Sequence, residues 1–136
     1  MVFKYDEFLI CTVREADAND LRFLENYVAE AEASGRKVYY PAKDTNQIDE
    51  TGGYQICCDN NLAMRESQEV SVYWTTKSQG TKFDLGMAFN QHRTENKKIK
   101  LANRSDVEKM VQEQRAKGLA KSFEMVLLRL DDLAKE

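Results

Sequence analysis

Histidine, paired cysteine and basic clusters are what this sequence has least of. It holds one histidine, His92, and three cysteines in 136 residues. Cys57 and Cys58 are adjacent and Cys11 stands alone, with no C-x-x-C, so neither a disulfide framework nor a zinc site has its ligands. No metal and no cofactor is implied. The thiols are expected to be reduced and mostly buried. No apolar run approaches the roughly 20 residues of a membrane span. The opening residues MVFKYDEFLICTV carry acid groups and no small-residue cleavage site, so no signal peptide is expected and a cytoplasmic protein is. Lys+Arg 20 against Asp+Glu 23 leave a formal charge of −3, and no dominant basic block points to a nucleic-acid polymer as partner.

What is present is ordinary globular material, 42% hydrophobic and 32% charged, too apolar for a disordered chain. No linker, repeat or low-complexity segment divides it, so residues 1–136 are expected to form one domain. Short strand-like runs alternate with longer helical ones. Glu7 to Val13 is a nearly continuous apolar strand, the kind buried on both faces of a parallel sheet. Asp17 to Ser34 has helical spacing at Leu21, Leu24, Tyr27, Val28 and Ala31, with Asp17 as cap and Gly35 as stop. Lys37 to Tyr40 is a second strand, closed by Pro41, and residues 42–53 form a polar loop ending in Gly52-Gly53.

A helix is expected over Tyr54–Ser67, with Ile56, Leu62 and Ala63 among its apolar positions. A strand over Glu69–Trp74 follows, then a loop to Gly80. The next helix runs from Thr81 to about Arg93, with Phe83, Met87 and Ala88 on one side. Lys98–Ala102 is a fourth strand. A helix capped by Ser105 ends at Gly118. Phe123, Val126, Leu127, Leu130 and Ala134 have helical spacing, although a strand over 123–128 competes. This order implies an α/β, three-layer fold: a mostly parallel sheet of four to five strands with helices on both faces, Rossmann-like or flavodoxin-like. Such sheets bind ligands beyond the carboxyl ends of their strands, where loops 12–17, 41–53 and 75–81 should gather. The cations Arg93, Lys97, Lys98, Lys100 and Arg104 either meet a polyanion or form a hydrophilic turn.

The most informative stretch is Ser78-Gln79-Gly80-Thr81-Lys82-Phe83-Asp84-Leu85-Gly86, which follows a buried strand and opens a helix. Gly80 permits close approach of a ligand, and Thr81 offers a hydroxyl among unpaired first-turn N–H groups that favour an anion. Asp84 falls near the positive helix end, which favours the ionised form a nucleophile requires. Gly86 would let a backbone or ligand come close to the helix. Thr81-x-x-Asp84 also reads as a near capping box with no further role.

From Phe8 through Asn103 the chain resembles the nucleoside 2-deoxyribosyltransferase superfamily, including its nucleoside monophosphate N-glycosidase-like members. The likeness rests on Gly80-Thr81-Lys82-Phe83-Asp84-Leu85-Gly86 after the third strand. It rests too on the order of Asp59, Glu69, the strand Val70–Trp74 and the strand Lys98–Leu101. The resemblance implies cleavage of an N-glycosidic bond or 2-deoxyribosyl transfer on a nucleoside or its 5′-monophosphate, and a homodimer or larger homo-oligomer. Asp84 would be the carboxylate nucleophile, in place of the family's usual Glu, and Lys77-Ser78-Gln79 replaces the acids that often precede the Gly-Thr element. Asp59 or Glu69 would protonate the departing base. Trp74 and Tyr54 could stack on that base, and Ser78, Gly80 and Thr81 could hold a phosphate, aided by Lys77 and Lys82. The alternative is a non-catalytic nucleotide-binding or sensing module of the same fold. A phosphoribohydrolase with a Gly-Gly-x-Gly-Thr-x-x-Glu site is a weaker third reading, since one of those glycines is present.

Overall fold

Phe8, Leu9 and Ile10 are fully buried, as a continuous apolar run must be when both faces of its strand are covered. They lie in β1 (Tyr5–Ile10), an inner strand of a four-stranded, all-parallel sheet. The structure is a computed structural model that describes residues 2–136. Its other elements are α1 (Ala18–Ala33), β2 (Val38–Tyr39), α2 (Pro41–Asp44), α3 (Tyr54–Arg65), β3 (Ser67–Val72), α4 (Gln79–Glu95), β4 (Lys98–Leu101), α5 (Arg104–Ala116) and α6 (Phe123–Ala134). The strand order is β2-β1-β3-β4. The chain therefore leaves β1 towards one edge and returns from β2 to the other side of β1, the α/β three-layer arrangement expected.

Side chains alternate across the sheet and divide the core in two. Phe8, Ile10, Val70, Val72 and Ile99 pack with Ala63 and Met64 of α3, Leu85 and Ala88 of α4, and Leu127 and Leu130 of α6. Leu9, Cys11 and Val38 pack with Leu24 and Val28 of α1. Each fully buried side chain of this size is worth about 1.5–3 kcal/mol. The α1 face also carries charge. The buried carboxylate of Glu7 accepts from the Tyr27 hydroxyl at 2.7 Å and from Arg36 at 2.9 Å, and Arg36 reaches on to Glu69 at 2.7 Å. Those donors replace the water that a carboxyl group this deep in the sheet has lost.

Local signals placed most boundaries. Asp17 caps α1 in a reciprocal capping box with Asp20, and Gly35 and Gly118 follow α1 and α5 at φ +87° and +85°, where a Cβ would be strained. The described residues form four strands, within the four to five expected, and the segment from Phe123 is the expected helix, not the competing strand. Other expectations need correction. Pro41 opens the short helix α2 instead of only closing a strand, since its missing N–H costs nothing at a first helical position. α5 starts after Asn103, not Ser105. β3 begins at Ser67, whose buried hydroxyl donates to the Ala63 carbonyl at 2.7 Å, so one residue ends the helical segment and starts the strand.

The predicted apolar stripe of the last helix is half right. Leu127 and Leu130 are buried, but Phe123 and Val126 are exposed. Polar anchors hold α6 instead: the Leu101 N–H on the free side of β4 donates to Asp131 at 2.8 Å, and Arg104 pairs with Asp131 at 2.7 Å. The helix thus covers a sheet edge that would otherwise invite pairing. The cationic stretch 93–104 is taken apart by the fold. Lys97 is buried with its amine on the Ser67 and Arg65 carbonyls, and Lys100 pairs with Glu69 at 2.6 Å. Cys11 is the one buried thiol; Cys57 is half-buried and Cys58 exposed. Among the described residues no helix is long and apolar enough to cross a membrane.

Candidate active site

A cavity of about 510 Å³ opens at the carboxyl ends of β1, β2 and β3, where the strand order reverses. Its size is within the roughly 300–1,000 Å³ of small-molecule sites. Cys11, Val13, Arg14 and Glu15 line it from the end of β1 onward, and Pro41, Gln47 and Asp49 from the segment after β2. Ile56, Cys57 and Asn60 come from α3, and Ser78, Gly80, Phe83 and Asp84 from the start of α4. The three expected loops do meet at this edge.

Helix α4 sets the chemistry. Its cap is Ser78, whose hydroxyl oxygen accepts from the Thr81 N–H at 3.1 Å and from the Thr81 hydroxyl at 2.9 Å. Thr81 is therefore a third helical residue, fully buried and occupied with the cap. The capping-box reading of Thr81 and Asp84 fails for the same reason, because the cap lies three residues earlier. The buried stripe of α4 is Thr81, Asp84, Leu85, Ala88 and Gln91. Asp84 thus shares the inward face with Leu85, while Phe83, expected inward, is 59% exposed. Gly86 is exposed and has open space where a Cβ would stand, so no close approach requires it.

Burial has a large electrostatic effect. Asp84 is 9% exposed, and desolvation pushes its carboxyl up to about 7, with the Asn60 side chain acting in the opposite direction by hydrogen bonding. That corrects the expectation that the positive helix end favours its ionised form: Asp84 sits beyond the first turn, where the dipole has faded and burial dominates. The Cys11 thiol is driven up to about 12 by burial and by Asp84, and Cys57 is raised for the same two reasons in the same order. Both remain thiols, so these two neighbours add no charge beside Asp84.

Asp49 contrasts with Asp84. It accepts from the Thr51 N–H at 2.8 Å and from the Ile56 N–H at 3.0 Å, so hydrogen bonds hold its carboxyl below the usual range. It serves the first turn of α3, whose cap Gly53, at φ +105°, has no side chain to do so.

The other expected site residues lie apart. Asp59 accepts from Gln55 at 2.8 Å on the surface of α3, and the helical turn puts its neighbour Asn60 on the cavity wall instead. Glu69 sits in the amino-terminal half of β3, tied to Arg36 and Lys100, a strand's length from the cavity. Trp74 is 1% exposed and donates its indole N–H to Glu124 at 2.6 Å, so its faces belong to the core. Tyr54 is 71% exposed and outside the cavity. Lys77 holds Asp17 at 3.1 Å and also pairs with Asp20. Ser78, Gly80 and Asp84 are thus gathered around one space, with Thr81 directly beneath.

Asn60, Cys57, Arg14, Glu15 and Asp49 are the residues that sequence reasoning passed over. Asn60 had a signal: with Ile56 and Ala63 it falls at helical spacing, a polar residue on an inward stripe. Arg14, Glu15 and Asp49 lie in loops expected at this edge, but nothing singled them out within those loops, and Cys57 on α3 carried no signal of its own.

Gly80 offers a direct check on the space. A Cβ there would meet only Ser78 Oγ, at 3.9 Å. Gly80→Ala is expected to leave the melting temperature unchanged or slightly raised, because Ala is the better helix former. It is also expected to weaken ligand binding in calorimetry by tenfold or more, by adding a methyl to the cavity wall. Compared with known proteins, the chain matches no family model and no curated protein.

Proposed function

We propose that this protein cleaves or transfers at the N-glycosidic bond of a nucleoside or nucleoside 5′-monophosphate, with Asp84 as the carboxylate nucleophile. One observation carries the reading: a single desolvated carboxylate lines a ligand-sized cavity at the switch point of a parallel sheet, beside the start of a helix. A desolvated carboxylate attacks well because no shell of water must be stripped from it. It would add to the anomeric carbon as the base departs, with oxocarbenium character on the sugar, and water or a second base would then release the glycosyl group. Glu15, on the same cavity, replaces Asp59 and Glu69 as the group to protonate the leaving base. Arg14 has no ion-pair partner among the described residues and lines the cavity with Gly80, so a 5′-phosphate would find a guanidinium and first-turn amides there.

The decisive experiment incubates the protein with deoxynucleosides and their 5′-monophosphates, with and without an acceptor base. Free base alone marks a hydrolase, and a new nucleoside marks a transferase. Asp84→Ala is expected to abolish either product. Undiminished turnover in that variant removes Asp84 from the mechanism.

The pH profile tests the role separately. A nucleophile must be ionised, and the free carboxyl is raised to about 7. kcat/KM should therefore climb about tenfold per pH unit below 7 and level off above it. A rate that falls above pH 7 would assign Asp84 as an acid instead.

A second reading, a nucleotide-binding module without turnover, is favoured by the absence of Asp59 and Glu69 from the cavity lining. Calorimetric binding of a monophosphate with no base released would support it. Assembly into a homodimer or larger oligomer belongs to the same proposal; Tyr54 and Leu62 on α3 and Phe83 on α4 are exposed apolar groups suited to such a contact. Sedimentation velocity decides it.

A further inference from the structure

Two walls of the cavity come from segments far apart in the chain. Residues 12–17, after β1, bring Val13, Arg14 and Glu15 to it, and residues 75–80 bring Ser78 and Gly80. Lys77 joins the two. Its amine lies 3.1 Å from the Asp17 carboxylate and also pairs with Asp20. Asp17 is the cap of α1 and Asp20 its third helical residue, while Lys77 directly precedes Ser78, the cap of α4. One ammonium thus ties the amino ends of both helices together. Among the described residues its contact with Asp17 is the one polar bond between residues 12–17 and 75–80.

The joint has a firm support. Asp20 is buried, and its carboxylate accepts from the Tyr73 hydroxyl at 2.7 Å and from the Asp17 N–H at 3.0 Å. An ionised carboxylate only accepts, so the direction of each bond is fixed. Tyr73 follows β3 directly. Its N–H donates to the Ile10 carbonyl at 2.8 Å and its ring packs on Phe23 at 4.8 Å. Asp20 therefore hangs from the seam between β1 and β3, and Lys77 draws the loop before α4 to that point.

Lys77 and Asp17 are both open to solvent, and ion pairs this exposed add little to global stability. The effect of the contact is to be sought in the relative placement of the loops.

We infer that Lys77 is a clasp: by bridging the cap of α1 to the loop before α4 it fixes the gap between the wall carrying Arg14 and Glu15 and the wall carrying Ser78 and Gly80. Lys77 does not itself line this cavity, so it is a positioning residue. Without it a ligand must order both loops on entry, and that cost is subtracted from its affinity. The consequence for turnover rests on the glycosidic reading; the clasp does not.

The test perturbs one loop and reads the other, by NMR hydrogen exchange on the full-length protein. Lys77→Met keeps the apolar stem and removes the charge. It is expected to speed exchange of the Asp17 and Asp20 amides, which are bonded in the α1 cap, by about tenfold, with β1 and β3 amides unchanged. Asp20→Asn should do the same to the Thr81 amide in the α4 cap, which it does not touch. Lys77→Arg should restore the original rates. Thermal melts verify folding, and if Asp20→Asn does not fold, the Met–Arg pair at 77 still decides. Calorimetry with a deoxynucleoside 5′-monophosphate should show affinity about tenfold weaker in Lys77→Met and recovered in Lys77→Arg, and KM should rise by about as much while kcat holds. Unchanged exchange at Asp17 and Asp20 in Lys77→Met, or acceleration spread equally through β1 and β3, overturns the clasp. Faster exchange with unchanged affinity overturns its role in placing the walls. Absence of turnover in the unaltered protein, with exchange moving as described, overturns the glycosidic reading alone.

Discussion

Asp84→Asn is expected to stop base release and, at pH 8, to make the protein more stable. The two effects have one origin. In the unfolded chain the carboxyl titrates near its ordinary 3.8, and in the folded protein near 7. Its raised value makes a contribution to stability that is complete below pH 4 and is lost as pH rises through 7. A difference of about three units corresponds to about 4 kcal/mol at pH 8. The neutral amide of Asn carries no such penalty and makes the stability curve flatter between pH 4 and 8. Urea denaturation of both proteins at pH 4 and pH 8 measures it. Equal stability of the two at pH 8 would mean that Asp84 is not desolvated in solution. A gain on removing a charged group is the mark of a residue kept for function at the expense of the fold.

The second large effect concerns Trp74, which the sequence presented as a stacking platform for a base. Its indole N–H is given to Glu124, which also accepts from Gln114 at 2.7 Å. Its main-chain N–H and C=O are both bound by the Asn103 amide at 2.8 Å. Trp74→Phe removes a donor from a buried carboxylate and leaves a void where the larger ring stood. A loss of about 3 kcal/mol is expected, from the unpaired acceptor together with the lost packing. Ligand affinity at the cavity should not change. An affinity reduced tenfold in a variant that still folds would return Trp74 to the binding site.

Fold and site were not equally legible. The order of strands and helices could be read because β1 is an uninterrupted apolar run and because Asp17, Gly35 and Gly118 punctuate the chain by mechanisms local to a few residues. The gathering of three loops at one edge followed from parallel topology alone. The phase of α4 was harder. Its aromatic residues, Phe83 and Phe89, point outward, and its inward stripe is made of Thr81, Asp84, Leu85 and Ala88, so hydrophobicity marks the wrong side. Reading Asp84 against Leu85 and Ala88 would have revealed its burial, and with it the direction of its titration. Asp59 and Asn60 show the limit of position along the chain: one residue's rotation about α3 separates surface from cavity wall. Lys77 and Glu69 were misread because their partners, Asp20 and Arg36, come from distant segments that no local pattern identifies.

The cavity straddles the seam where β1 lies beside β3, with Phe8 opposite Val70 and Ile10 opposite Val72. Two strand-to-strand crossings separate those segments in the chain, so joining them closes the widest loop within the sheet, and such closures are slow. Until that step is complete Cys11 and Asp84 have no common wall, whereas α5 and α6, neighbours in sequence, can already be paired. During refolding, then, the emergence of ligand binding times the zipping of the central strands, and helix content recorded by circular dichroism should run ahead of it.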